Sequence, residues 1–524
     1  MRARSRPEQA LVFVPAAVAL GVLLLRLARD VHGKPLIEDE AVSGLISARP
    51  LHELLATVLT DRGGAPLHFV LAHIVLAFDS SADALRWLSI VLAAGAVLVS
   101  FELGRRLGGP VAGATTAVAG ATSGLLTIYG SVARMYALLA LVGGVAAVLF
   151  VRALERRTAE AAFTAALAAL LLPATHPYGG IAVAAEAVVA LVVWRGRPLR
   201  PALPALAAGA LALPFAFVDF RLGGRIELGE QGRAATPGAA WEQLELAVRG
   251  SAGGAGVALA AFLLLAGIGF VTLVRERPAV AALAALWLLA PPLLILAVRS
   301  GAKPDLSPRH LIYALPLWAA AAGVGAARLL VRARPIAQAG ALALLTIVAI
   351  LAPSGIRDPR SLTYAAPLGS RAALAEPARR LRAEIEPGDV LFPFSSVFLA
   401  ALPEAGRARA LPPGEPKLIA RAVRRVELPA GALFVAVPVG ASGLHLRRLR
   451  QRLGPAFFAA RLGSWLIVEA RGPFDDRASI LTAATHALDA SQTAASGPLP
   501  EGLSAYYGHS LSVLREAKRT LSGH

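Results

Sequence analysis

The chain contains no cysteine. Disulfides and thiolate metal sites are therefore excluded, and the redox compartment leaves no mark on the sequence. Lysine is almost absent too, with four residues, so nearly all the basic charge is arginine. Charged residues make up only 16% of the chain, against 56% hydrophobic, and the mean hydropathy is +0.62. Soluble domains are less apolar than this, and long apolar runs mean membrane spans. The formal charge of +18 does not point to nucleic acid. Much of it sits in short connections between apolar runs, where it sets membrane topology.

Those runs predict eleven spanning helices, near 10–28, 84–104, 110–127, 134–152, 159–175, 178–194, 201–218, 254–274, 279–298, 310–330 and 337–353. The first run follows Arg2, Arg4 and Arg6 without a small-residue cleavage site, so it reads as a retained helix. Residues 66–78 are too few to span and read as an interfacial or re-entrant helix. With the N-terminus inside, every short connection carrying an arginine doublet or triplet falls inside: 105–106, 152–157, 195–200, 275–277 and 328–334. A full span at 66–78 would invert that pattern, so the positive-inside rule supports eleven spans in the cytoplasmic membrane.

The division is therefore 1–353 for the membrane domain and 354–524 for a less hydrophobic domain on the outer face. There, 389–394, 432–439 and 465–470 read as strands, and 371–385, 444–453, 479–489 and 503–518 as helices. This predicts a small soluble α/β domain. Residues 491–500 read as a linker, and no short internal repeat is present.

With this topology the unusual polar residues collect at the outer ends of helices. They are the acidic triplet Glu38-Asp39-Glu40, Arg134 with Tyr136, His176 with Tyr178, and Arg309 with His310. Carboxylates can serve as bases, and arginine with histidine can hold an anion. Each also has an ordinary structural role open to it. Acidic residues suit the first turn of a helix, arginine snorkels from helix ends, and tyrosine anchors at membrane interfaces. His176 stands before Pro177 and can simply cap a helix. His68 and His73 are five apart and poorly aligned on one helical face. The triplet's oxygens would also suit a divalent cation.

In order along the chain stand Asp39-Glu40-Ala41, Pro66-Leu67-His68-Phe69, Gly104-Arg105-Arg106-Leu107-Gly108, Ala133-Arg134-Met135-Tyr136-Ala137-Leu138, His176-Pro177-Tyr178-Gly179 and Pro308-Arg309-His310. This series resembles the bacterial glycosyltransferases of family 39, in the GT-C superfamily, related to protein O-mannosyltransferases and the aminoarabinose transferase of lipid A. The resemblance covers roughly residues 10–350. It implies an all-α polytopic membrane protein of GT-C type, with outer-face juxtamembrane helices and a polyprenyl-phosphate sugar as donor. It also makes Asp39 the catalytic aspartate and Glu40 its acidic neighbour. Three motifs depart from the family pattern: Pro-Pro-Leu-Tyr-Tyr stands here as Ala65-Pro66-Leu67-His68-Phe69, His-Tyr-Tyr as His176-Pro177-Tyr178, and Arg-Tyr as Arg309-His310.

The expected reaction is an inverting sugar transfer to a cell-envelope glycan, a lipid or an exported protein at the outer face. Asp39 would take the acceptor's proton. Arg134, Tyr136, Arg309 and His310 would stabilise the departing lipid phosphate, with His176, Tyr178 and His68 binding substrate. No cofactor is required, although a divalent cation is compatible with the triplet. A lipid donor needs no glycine-rich phosphate loop. The rival reading is a transporter or lipid flippase, but transporters favour polar sites near the bilayer midplane and repeated halves.

Overall fold

The computed structural model describes residues 10–32, 36–61, 65–193, 203–204, 206–213, 237–297, 307–352, 371–402, 410–413, 416–439, 445–494 and 501–522. They fall into two compact units. One lies within 1–32 and 46–357, and the other combines 33–45 with 358–524.

The chain begins with α1 (Val14–Arg29), α2 (Glu38–Ser47), α3 (Leu51–Asp61) and α4 (Leu67–Phe78). The boundary between the units falls inside α2. Next comes α5 (Ala82–Thr122), opened by Ser81, whose side chain accepts from the Ala84 N–H. A straight helix of its 41 residues would be roughly 60 Å long, twice the hydrocarbon core. It is instead kinked where Gly108 and Gly109 leave helical geometry, Gly109 at φ 82°, just before Pro110. Glycine tolerates that backbone and proline has no N–H to give the preceding turn.

The first unit continues with α6 (Gly124–Tyr129), α7 (Tyr136–Arg156), α8 (Ala159–Thr175), α9 (Gly179–Val193), α10 (Pro237–Ser251), α11 (Val257–Glu276) and α12 (Pro278–Ala297). A 3₁₀ turn, Pro308–Ala314, then leads into α13 (Leu315–Leu330), and α14 (Pro335–Leu351) follows. Among the described residues, five helices are long and apolar enough to cross a membrane. The kinked α5 covers two of the expected spans. Four more, at 159–175, 178–194, 279–298 and 337–353, fall on apolar helical stretches of 10–17 residues, the third being Pro278–Leu293 within α12, and α4 is short as expected. The span expected at 201–218 is described in part, at 203–204 and 206–213, and those residues are helical.

Two close approaches position the residues considered below. A Cβ on Gly143 of α7 would run into the backbone of Tyr313, so only glycine lets the 3₁₀ turn lie against α7. A Cβ on Gly179 would meet the backbone of Leu172 and Pro173, so glycine lets α9 start hard against the end of α8.

The second unit holds α15 (Arg371–Glu384), β1 (Val390–Phe392), α16 (Ser396–Ala401), α17 (Pro416–Arg424), β2 (Leu433–Pro438), α18 (Leu446–Leu453), β3 (Phe457–Leu462), β4 (Trp465–Ala470), α19 (Arg477–Thr493) and α20 (Glu501–Ser522). The sheet order is β1-β2-β4-β3, with β1 parallel to β2 and the other pairs antiparallel. Successive side chains point to opposite faces of a strand. Leu433, Val435 and Val437 of β2 accordingly join one core with α19 and α20, while Phe434 and Ala436 join another with α15 and α16. Strand β3 was not expected. Its Phe-Phe-Ala-Ala-Arg-Leu sequence lacks clean alternation because it is an edge strand, joined to β4 through Gly463 at φ 59°.

Substituting Gly143→Ala should destabilise the protein by about 1–3 kcal/mol, as overpacking does. Gly267→Ala on α11, where a Cβ meets nothing within 4 Å, should be near neutral. Thermal unfolding in detergent compares the two.

Candidate functional site

In the first unit, chain segments far apart in sequence bring five of the expected residues into one cluster. Tyr136 is the first residue of α7. His176 ends α8 because the residue before a proline is driven out of helical geometry; its φ and ψ are −155° and 138°. Tyr178 follows at the start of α9, and Arg309 and His310 come from the 3₁₀ turn.

Ring centroids lie 4.9 Å apart for His176 and His310, and 5.5 Å for His176 and Tyr178. Tyr178 stacks on His310 at 5.1 Å with 20° between planes. Tyr136 is 6.5 Å from both histidines, and the Arg309 guanidinium sits 5.6 Å from its ring centroid. That placement is a cation–π contact. Arg134, two residues before α7, acts on His176 through its charge, as Arg309 does. His68 of α4 is buried, hydrogen-bonds the Ala133 backbone and also feels Arg134.

Hydrogen bonds engage the ring nitrogens of both histidines. Nδ1 of His176 accepts from the Tyr178 N–H at 3.2 Å, and Nδ1 of His310 faces the Ser307 N–H at 3.2 Å. A neutral imidazole has one donor and one acceptor, so a neutral His176 ring carries its proton on Nε2. Arg309 Nε points its N–H at His310 Nε2 from 3.5 Å, so both ring nitrogens of His310 face N–H donors. His176 is 5% exposed. Burial first, and then the guanidinium groups of Arg134 and Arg309, push its pKa down to about 3. It is therefore a neutral donor at pH 7, under the charge of two permanent cations.

The acidic triplet belongs to the second unit, on the first turn of α2. Its members have separate surroundings. Glu40 is fully buried and accepts from the Ile37 N–H at 2.9 Å. This is the return half of a capping box, with the third helical residue satisfying the N-cap. Glu38 accepts from the Ser396 N–H at 2.8 Å, across 358 positions of sequence. Burial raises its pKa above the ordinary carboxylate value, and the neighbouring charge of Asp39 adds to that. Asp39 is half-buried on the same turn, and its backbone carbonyl accepts from Ser43 Oγ at 3.0 Å. Ala41 lies in the core formed with Leu374, Leu381, Phe398 and Trp465, so the triplet's helix is held by the C-terminal sheet domain. Among the described residues, no three His, Asp or Glu side chains converge as a metal site would need.

Among solved structures, the chain is similar to ArnT from Cupriavidus metallidurans, crystallised in the apo state and bound to undecaprenyl phosphate. The TM-scores are 0.52 and 0.53, at 14% identity, covering 86% of this chain and 97% of that one. It is also similar to the arabinofuranosyltransferase AftD from Mycobacteria, with TM-score 0.51 and 18% identity over 88% of this chain and 40% of that one. The chain has the GT-C fold. No family model and no curated protein matches it by sequence.

Within this GT-C fold, sequence reasoning missed three residues that brace the cluster. Tyr129 ends α6 with its ring 5.0 Å from Tyr136, edge to face. Tyr313 OH donates to the Trp287 carbonyl at 3.0 Å, and Trp287 Nε1 donates to the Ala182 carbonyl at 3.1 Å. These bonds tie the 3₁₀ turn to α12 and α9. The available signal was the spacing of Tyr313 three residues after His310, one turn of a 3₁₀ helix.

His176 makes stability depend on pH. Its folded pKa of about 3 lies below the ordinary histidine value of 6.5, so the unfolded chain binds more protons between those values. Its contribution is complete above pH 6.5 and is lost as pH falls towards 3, by up to about 1.4 kcal/mol per pH unit. Thermal midpoints between pH 4.5 and 8 should fall on acidification for wild type, and less steeply for His176→Asn, which keeps an acceptor for the Tyr178 N–H.

Proposed function

We propose that this GT-C protein transfers a sugar from a polyprenyl-phosphate carrier to a glycan, lipid or exported-protein acceptor at the outer face of the cytoplasmic membrane. The observation that carries the reading is the gathering of Arg309, Tyr136, His176, Tyr178 and His310 from distant segments, with Arg134 acting on the same histidine. The ArnT crystal structure bound to undecaprenyl phosphate, in the same fold, supports a lipid phosphate as the anion.

In this reading the acceptor hydroxyl attacks the anomeric carbon as Asp39 takes its proton. The bond from that carbon to the phosphate oxygen breaks, and the configuration inverts. Negative charge then grows on the phosphate. Arg134 and Arg309 offer charge-assisted hydrogen bonds to it, the Nε2–H of His176 offers a neutral one, and His310 stands beside Arg309 in the same cluster. Tyr136, Tyr178 and His68 shape the surroundings of the substrate. Glu40 caps the helix that carries Asp39 and Glu38 anchors it, and Asp39 holds the position that the resemblance gives to the base. The reaction as written requires no metal or other cofactor.

The test is transfer from synthetic polyprenyl-phosphate mannose, arabinose and glucose by the purified protein, with membrane extract as acceptor. Wild type should turn over one donor. Asp39→Asn should lower kcat by about 10²–10⁴-fold, as loss of a general base does. Arg309→Gln should lower it by about 10²–10³-fold, as loss of one oxyanion donor does. Full activity in Asp39→Asn would move the base role to Glu38 or Glu40. No turnover of any donor, with transport activity in reconstituted vesicles, would replace the reading with a transporter.

The proposed topology has eleven crossings, the N-terminus inside and the C-terminal domain outside. Because the chain has no cysteine, single substitutions report sidedness cleanly. In intact cells a membrane-impermeant maleimide should label Ser522→Cys and spare Ser5→Cys. The reverse pattern would invert the topology.

A further inference from the structure

A second site-like feature lies at the other end of α7. From Tyr136 to Arg156 this helix has 21 residues, about 30 Å and therefore the thickness of a bilayer core. At the Arg156 end, α7, α9 and the α11–α12 corner enclose a groove of about 650 Å³, within the 300–1,000 Å³ usual for ligand pockets. Its walls are apolar, including Val188, Val189, Val192 and Leu286. Val188 and Val192 are 52% and 69% exposed, so the groove opens sideways from helices that are otherwise lipid-compatible.

The lip of the groove is ionic. Glu155 pairs with Arg277 at 2.7 Å and Arg106 at 3.7 Å, Glu276 pairs with Arg328 at 3.5 Å, and the nearby Glu102 pairs with Arg105 and Arg106, each at 2.7 Å. Each of these carboxylates is thus neutralised by at least one arginine. Arg157 lines the groove, is exposed, and has no ion-pair partner among the described residues. It also sits at φ 54°, in the left-handed region, at a position where glycine is the usual choice. Glycine would remove a cation from the lip.

We infer that this groove is a binding site for an anionic glycerophospholipid, with an acyl chain along the valine wall and the phosphodiester at Arg157. A bilayer supplies such a ligand at this depth. An unpaired guanidinium above an apolar slot between membrane helices complements a molecule with a charged head and an apolar tail. A zwitterionic lipid brings its own cation beside the phosphodiester and so gains less from Arg157, and a free phosphate would satisfy the lip alone.

The experiment is native mass spectrometry of the full-length protein in detergent with dioleoyl-phosphatidylglycerol, dioleoyl-phosphatidylcholine or glycerol 3-phosphate. Wild type should bind phosphatidylglycerol at least about fivefold more tightly than phosphatidylcholine, the factor expected of one interfacial arginine. Arg157→Gln should erase that preference, and Val192→Trp, which fills the open wall, should weaken both lipids. Arg156→Gln, next in sequence but outside the groove lining, should keep the preference. Equal affinity for the two lipids in wild type overturns the inference. So does an unchanged preference in Arg157→Gln, an equal loss in Arg156→Gln, or glycerol 3-phosphate binding as tightly as phosphatidylglycerol.

Discussion

The constraint on which the structure depends is that hydrocarbon does not solvate charge or unpaired backbone. Helices satisfy their own backbone groups and can cross. Ionisable side chains are then rare away from helix ends and connections. In the first unit Tyr136 opens α7, His176 closes α8, Tyr178 precedes α9, and Arg309 with His310 sits in the 3₁₀ turn before α13. A cluster of this kind is assembled from the tips of helices, and its precision depends on how closely those helices pack. Gly143 against the Tyr313 backbone and Gly179 against the end of α8 are where that packing is tightest around the site.

The cluster's electrostatics follow from the same confinement. His176 is buried close to Arg134 and Arg309, which keeps it neutral. A neutral histidine can donate to an anion without adding charge, while the arginines supply the field. The cluster thus presents two kinds of donor to one place, permanent cations and the neutral imidazole of His176, whose proton is placed on Nε2 by the Tyr178 N–H at Nδ1.

The acidic triplet shows how three adjacent carboxylates take different roles. Glu40 turns back to the Ile37 N–H, and Glu38 reaches Ser396 in the C-terminal domain. The domain that follows the membrane helices therefore holds the segment that carries Asp39. Its parallel β1–β2 pair and the helices on both faces of the sheet bury Ala41 of α2 among Leu374, Phe398 and Trp465. A tail with no catalytic motif of its own thereby gains a structural task.

Much of this could be read before any coordinates. Apolar runs and arginine doublets identified a polytopic membrane protein, because burial and solvation act on each segment locally. The Gly108-Gly109-Pro110 break was readable for the same reason, since backbone geometry at glycine and proline is a local property. The residues of the histidine–arginine cluster were individually conspicuous, as polar groups beside apolar runs. Their convergence was a matter of tertiary structure, and so was the tautomer of His176, which depends on an N–H group that closes only when the chain is folded. The role of Glu38 was illegible because its partner is 358 residues away. The sequence alone determined which residues hydrocarbon would exclude; only the packing of helices and sheet decided which of them meet, and with what charge.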